Sequence, residues 1–182
     1  KAKADVNAKG KDDLTALMYA CYDGHTLIVK LLIKAKADVN AKGKNGGTAL
    51  MNASSNGHIE IVKLLISARA NVNVKTKLYN TSLIWASSKG HTKIVKLLIK
   101  AKADVNAKGE DDLTALMNAS VKGHTEVVKL LLDAKANINA KSEAGNSALI
   151  AASSNGHSKI VKILIKAKAD VNAKGKDDLT AL

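Results

Sequence analysis

Five histidines have the widest chemical range in this chain, because imidazole can bind a metal or carry a proton near neutral pH. They stand at a constant spacing along the sequence: His25, His58, His91, His124 and His157. At equivalent places in stacked helices they would lie about 8–10 Å apart, whereas zinc ligands converge to about 2 Å from the metal. No cysteine or carboxylate cluster accompanies them, so the spacing predicts a structural role in a turn, with no metal and no cofactor.

The single cysteine, Cys21, is a candidate nucleophile, but no cysteine–histidine–asparagine arrangement accompanies it. The glycine-rich stretch GKNGG at 43–47 lacks the lysine–serine ending and the strand–helix context of a phosphate-binding loop. We therefore predict no enzymatic activity. A lone cysteine cannot form an intramolecular disulfide, and no apolar run reaches membrane-spanning length. We expect an intracellular location, cytoplasmic or nuclear.

Lysine dominates the charge, since 29 basic residues against 16 acidic residues give a net charge of +13 and only Arg69 is an arginine. Such a surface attracts anions, while scarce arginine and aromatic residues disfavour sequence-specific reading of nucleic acid. Two rows of lysines recur every 33 residues, one in a loop and one in a helix. The helix row predicts solubility, whereas partner binding and plain solvation stay equally open for the loop row. The loop row is Lys9, Lys42, Lys75, Lys108, Lys141 and Lys174, and the helix row is Lys30, Lys63, Lys96, Lys129 and Lys162.

One period, the 33 residues that separate Lys9 from Lys42, underlies all of these spacings. The decapeptide KAKADVNAKG recurs at multiples of that period, which predicts an array of supersecondary units. We treat 1–182 as a single domain with partial units at 1–9 and 175–182. The decapeptide stands at 1–10, 34–43, 100–109 and 166–175, and the full units are 10–42, 43–75, 76–108, 109–141 and 142–174.

Within residues 10–42, the stretch TALMYACYDG predicts a short helix that ends at Gly24. The stretch TLIVKLLIKAKA predicts a second helix, with Thr26 placed to cap its start. The polar stretch ADVNAKGKDDL that follows suits a turn or hairpin. Because one helix pair cannot bury its apolar faces alone, we predict an all-α solenoid of stacked pairs joined by hairpin-like loops.

Each of the five full units contains a Gly–His pair, followed by a V-K-[LI]-L segment and a [DN]-[VI]-N loop. With these motifs in register, the unit resembles the ankyrin repeat. One departure is that the glycine closing the family's second helix is replaced by a residue with a longer side chain. The replacements are Lys36, Arg69, Lys102, Lys135 and Lys168.

The resemblance implies a binding groove formed by the variable positions of the first helices and by the loop tips. Trp85, with Leu78 and Tyr79 nearby, is the best candidate anchor, because exposed aromatic residues dominate binding hot spots. The alternative is that Trp85 packs on neighbouring helix stems. The other expected groove residues are Tyr19, Tyr22, Asn52, Lys89, Asn118, Lys122, Lys42, Lys75, Lys108 and Lys141.

Three functions follow as alternatives from these features. The leading one is a non-enzymatic protein-interaction module that binds an acidic partner through its concave face and loop tips. The second is charge-driven binding of nucleic acid or of an anionic membrane. The third is a structural or engineered repeat scaffold whose copies associate end to end, because the partial units at both ends carry no polar cap.

Overall fold

A threonine or serine hydroxyl starts the first helix of every repeat. In repeat one, Oγ1 of Thr15 accepts a hydrogen bond from the N–H of Met18 at 3.4 Å, and Thr15 itself is extended, as expected of an N-cap residue. The computed structural model describes residues 5–175, so 1–4 and 176–182 of the two partial units lie outside the described residues. The first helices are α1 Ala16–Tyr22, α3 Ala49–Ser55, α5 Ser82–Ser88, α7 Ala115–Val121 and α9 Ala148–Ser154.

The turn after α1 ends one helix and starts the next. Gly24 adopts a left-handed conformation (φ 79°), and the N–H of His25 donates to the carbonyl of Ala20 at 2.9 Å. The cap predicted at Thr26 is wrong, because His25 closes α1 and is already the N-cap of α2, which leaves Thr26 as the first helical residue. The second helices are α2 Thr26–Lys34, α4 Ile59–Ser67, α6 Thr92–Lys100, α8 Thr125–Asp133 and α10 Ser158–Lys166.

Each second helix ends on a left-handed residue that carries a side chain. Lys36 has a φ of 65°, and its N–H donates to the carbonyl of Ile33 at 3.0 Å. The next N–H, that of Ala37, donates to Leu32 at 2.9 Å, which completes the Schellman pattern. Lysine thus stands where the family has glycine, and the backbone keeps the left-handed conformation that glycine favours. The equivalent angles are 63° at Arg69, 66° at Lys102, 64° at Lys135 and 65° at Lys168.

Stacking of the pairs gives the solenoid that the period predicts, and the all-α prediction is confirmed for residues 5–175. Each first helix packs on the first helices of adjacent repeats, and each second helix does the same less extensively. The first helices are shorter than the second helices, yet they contact their neighbours more extensively. First helices of adjacent repeats therefore lie closer together than second helices do, which makes the array concave on the side of the first helices. Leu50, Leu83 and Leu116 fill the core between them.

Asparagine side chains tie each hairpin to the next one. Oδ1 of Asn40 accepts a hydrogen bond from the N–H of Asn71 at 2.7 Å, and Oδ1 of Asn73 accepts one from Asp104 at 2.8 Å. The N–H of Asn73 is itself held by Oδ1 of Asn71 at 2.9 Å, which fixes the loop that presents the side chain. The asparagine of the [DN]-[VI]-N loop is therefore a link between repeats.

Replacing Lys102 with glycine should stabilise the array. A Cβ in the left-handed region costs about 1–2 kcal/mol, whereas a lysine near a helix C-terminus returns about 0.3–1 kcal/mol through the helix dipole. We expect Lys102→Gly to raise the free energy of unfolding by about 1 kcal/mol, measured by denaturant titration.

Lys96→Gly is the control, because Lys96 lies exposed in the middle of α6, where glycine should cost about 0.5–1 kcal/mol. An unchanged or lower denaturant midpoint for Lys102→Gly would show that the lysine side chain contributes more than its backbone strain costs.

Candidate partner-binding groove

Four of the five histidines bridge neighbouring repeats. Nε2 of His91 lies 3.0 Å from the carbonyl oxygen of Ser55, and Nε2 of His58 lies 3.0 Å from that of Tyr22. The carbonyl can only accept, so Nε2 is the donor. His25 makes no such bond among the described residues and is exposed. The other two bridges join His124 to Ser88 and His157 to Val121, each at 3.0 Å.

In repeats one to four, the glycine of the Gly–His pair makes room for the histidine of the next repeat. A Cβ at Gly57 would lie 2.8 Å from Cε1 of His91, closer than atoms can approach without movement. Gly57 is also left-handed, with a φ of 81°. Across residues 5–175, no three His, Cys, Asp or Glu side chains come together as a metal site. The geometry of the histidines is that of a structural bridge.

Cys21 lies in a buried column between the helices. Its side chain is inaccessible, and burial raises the pKa of its thiol to about 12, so the reactive thiolate is scarce at neutral pH. The equivalent hydroxyls of Ser54, Ser87 and Ser120 are buried without a hydrogen-bond partner. A small side chain is what this column requires, and the cysteine meets that requirement as well as serine does.

Trp85 lies half-buried on α5, between repeats two and four. On the side of repeat two it lines a groove of about 380 Å³ together with Tyr22, Asn52 and Lys89. Nδ2 of Asn52 also donates to the carbonyl of Met18 at 3.1 Å, which orients that side chain across the repeat boundary. The structure thus brings four of the predicted groove residues together around one concavity.

On the side of repeat four, Trp85 lines a smaller cavity of about 150 Å³. Asn118 also lines this cavity, and its Nδ2 donates to the carbonyl of Thr114 at 3.1 Å. Glu110 and Asp111 complete the wall that faces Trp85. One side of the indole is therefore bordered by amides and a lysine, and the other by carboxylates.

The tip of the repeat-three hairpin is apolar and open to solvent. Leu78 is 55% exposed and Tyr79 is 63% exposed. Both line a groove of about 470 Å³, here called the tip groove, together with Lys75 and Lys108. The predicted site residues that line none of these three grooves are Tyr19, Lys42, Lys122 and Lys141, all of them exposed.

The loop row of lysines is partly used to join repeats. Nζ of Lys75 donates to the carbonyl of Lys108 at 3.3 Å, and Lys108 itself pairs with Asp112 at 2.5 Å. Nζ of Lys141 reaches the carbonyl of Lys174 at 3.0 Å in the same way. These contacts lie at the exposed surface, where ion pairs and hydrogen bonds are weak, so the amines can still turn toward a partner.

Sequence analysis missed the acidic residues beside the anchor. Glu110, Asp111, Asp112 and Glu143 all line the tip groove. The signal that could have revealed them is the change from GKDDL at 10–14 to GEDDL at 109–113, which makes three consecutive residues acidic in repeat four. Their closeness to Tyr79 becomes evident only once the hairpins stack.

Comparison with known families agrees with the geometry. A family model described as ankyrin repeats (3 copies) matches residues 2–76, 45–109 and 83–175. The resemblance drawn from the Gly–His pairs is therefore confirmed. No curated protein matches the chain significantly. None of the helices between residues 5 and 175 is long and apolar enough to cross a membrane.

The histidine bridges generate a paired prediction. His91→Ala should lower the free energy of unfolding by about 1–2 kcal/mol, because it removes a bond to Ser55 and leaves that carbonyl less satisfied. His25→Ala removes the same ring from an exposed position without a bridge, so it should cost much less. Denaturant titration of both variants measures the difference, and equal losses would show that the ring acts within its own turn.

Proposed function

The chain belongs to the ankyrin repeat family, whose members are generally protein–protein interaction modules, and from this premise we propose that it binds a protein partner along its concave face. The observation that carries the proposal is that three large apolar or aromatic side chains of one repeat line a run of adjoining grooves. Trp85, Leu78 and Tyr79 all belong to that repeat and border connected grooves.

Repeat three differs from its neighbours at each of these positions. Tryptophan occupies the place of Asn52 in repeat two and of Asn118 in repeat four. A half-buried indole between two concavities can be covered completely by a partner, and such desolvated aromatic residues provide most of the binding free energy at interfaces. Trp85 is therefore proposed as the anchor, with Tyr22, Asn52 and Lys89 beside it.

The net charge of this chain indicates the sign of the net charge that its proposed partner carries. A net charge of +13 produces a positive field that extends about one Debye length, roughly 8 Å at physiological ionic strength. Such a field speeds encounter with an acidic protein. We propose that the exposed loop row, including Lys42, Lys75, Lys108 and Lys141, contributes to that steering, since the row lies beside the hairpins.

The proposal is for a module without enzymatic activity, and two observations support it. The family is typically a non-enzymatic scaffold. Cys21, the one thiol in the sequence, is buried and holds its proton at neutral pH. The proposed partner is thus a protein. The proposed location is intracellular, as expected from the lone cysteine.

Steering and anchoring should be separable by mutation. Lys75→Glu should mainly slow association, because charges at the edge of an interface act on the on-rate. Trp85→Ala should speed dissociation by about 30-fold or more, because a hot-spot residue contributes about 2 kcal/mol or more. The partner is first isolated with the full chain as bait, and both rate constants are then measured across a salt series.

Lys96→Glu is the matched control for Lys75→Glu, because it makes the same charge change in repeat three at an exposed position on the second helix. Nucleic acid bound through its phosphates would behave differently from a protein, since its affinity would fall linearly in log salt. A steep salt loss without any effect of Trp85→Ala would replace the protein groove with the polyanion alternative.

A second candidate function is self-association through α2. Ile28 is 47% exposed, whereas its equivalents Ile61 and Ile94 are fully buried by the preceding second helix. Leu27 and Leu31 of the same helix are also exposed, at 70% and 59%. Within the described residues no helix covers the face that bears Ile28, and either the helix pair of a preceding repeat or a helix pair of a second copy would suit it as α2 suits α4.

Sedimentation velocity over a range of concentrations tests this second candidate. The full chain should associate increasingly with concentration, and Ile28→Asp should sediment as a monomer because it places a charge in the interface. Tyr79→Asp removes an exposed apolar residue from another place, and this variant should still associate. A chain that stays monomeric at hundreds of micromolar would exclude end-to-end association.

A further inference from the structure

Within residues 5–175, neighbouring hairpin tips are joined by a backbone hydrogen bond, except between repeats three and four. There the N–H of Glu110 lies 3.5 Å from Oδ1 of Asn80, and the carbonyl of Leu78 accepts no hydrogen bond from the described residues. The junction is thus held by a long side-chain contact. The regular bonds are Lys44 N–H to the Asp12 carbonyl at 2.8 Å, Lys77 N–H to the Asn45 carbonyl at 2.9 Å and Glu143 N–H to the Asp111 carbonyl at 2.9 Å.

The residues at this junction are unusual for a hairpin tip. Tyr79 adopts a left-handed conformation (φ 58°), where repeats two and five have Gly46 and Gly145. Leu78 and Tyr79 together present apolar surface to solvent at the edge of the tip groove. The carbonyl of Leu78, which has no donor among residues 5–175, belongs to the same tip, so an incoming chain would meet an apolar wall and an available acceptor.

The opposite wall of the tip groove is acidic. Four carboxylates and three amines line the groove, within a chain of net charge +13. Lys108 is neutralised by its pair with Asp112, which leaves three carboxylates against the two remaining amines, those of Lys75 and Lys77. The carboxylates of Glu110, Asp111 and Glu143 accept no hydrogen bond from the described residues. At contact distance this groove therefore favours a cation.

We propose that the tip groove binds a protein segment in which an arginine or lysine stands next to an aliphatic or aromatic residue. The cation contacts the carboxylates of Glu110 and Asp111, the apolar side chain packs on Leu78 and Tyr79, and a donor of the segment reaches the carbonyl of Leu78. Because Glu110 and Asp111 also face Trp85, one segment can use both apolar anchors.

This inference rests on the proposed function and specifies the partner chemistry at one place in the groove. It is compatible with an acidic partner, because the two charges act over different distances. The net charge sets the field that a partner meets at long range, whereas the carboxylates act on the atoms that touch them, inside the screening length. The segment at repeats three and four is basic even when the partner as a whole is acidic.

The test uses two tripeptide probes and the full chain labelled with ¹⁵N. Acetyl-Leu-Arg-Leu-amide should shift the backbone amide resonances of Leu78, Tyr79, Glu110 and Asp111 in a saturable manner. Acetyl-Leu-citrulline-Leu-amide has the same shape without the charge and should bind about fivefold more weakly, the upper range for an exposed ion pair. Equal affinity of the two probes, or shifts centred elsewhere in the array, would overturn the proposal.

A pair of double variants provides the matched control. Glu110→Gln with Asp111→Asn should abolish the preference for the arginine probe. Asp12→Asn with Asp13→Asn removes two charges from the repeat-one tip, where Asp12 has nearly the same φ as Asp111 (56° and 55°) but lies two repeats away from Leu78 and Tyr79. The preference should persist in this control variant. Concentration-dependent shifts at Leu78 and Tyr79 without any peptide would instead identify a second copy as the occupant and overturn the proposal.

Failure of this inference is distinguishable from failure of the proposed function. If the isolated partner still binds the Glu110→Gln, Asp111→Asn variant with unchanged affinity but requires Trp85, the groove function stands and the basic segment is wrong. If Trp85→Ala leaves partner binding unchanged, the proposed function itself fails.

Discussion

Each repeat completes its core with the side chains of the next, and the rest of the structure depends on this shared burial. Ile61 and Ile94 are fully buried because a preceding second helix covers them, whereas Ile28 at the same position is 47% exposed. The two helices of one repeat are short, since α1 ends after two turns and α2 is only slightly longer, so a single pair has no interior of its own. Stability in such an array is a sum of terms between nearest neighbours.

Polar contacts, like the apolar ones, join adjacent repeats. A histidine ring, an asparagine amide and a hairpin N–H each cross from one repeat to the next, and each recurs at a fixed place. His91, Asn73 and Lys77 make these three contacts around repeat three. The histidine and the asparagine that hold adjacent repeats together recur in type, whereas the hairpin contact uses a backbone N–H and therefore tolerates lysine or glutamate.

Repeat three differs from the other repeats at its exposed hairpin tip. The glycine that suits a left-handed tip is replaced by Tyr79, and the regular bond from the next tip is replaced by a contact with Asn80. Both changes weaken the local structure and neither fills the core, since Tyr79 is mostly exposed. Proteins tolerate such departures mainly at functional sites, which is why this junction, together with Trp85, supports the proposal of a binding groove.

The period alone predicted the helices, their pairing and the stacked array, because the apolar pattern recurs in register in every full unit. Left-handed geometry at Lys102 was also predictable, since the family has glycine there. The start of the second helix was not, because His25 serves two helices at once through one backbone N–H. The acidic wall escaped prediction because Glu110 and Tyr79 belong to different repeats and meet only through stacking.

Hydrogen exchange of the chain with and without its isolated partner is the most direct test of the central claim, that repeat three and its junction with repeat four form the binding surface. Backbone amides at 78–81 and 110–113 should become protected on binding, while those of repeat one change little. Protection spread evenly over the lysine-bearing loops of all repeats would contradict the account and indicate binding by charge alone.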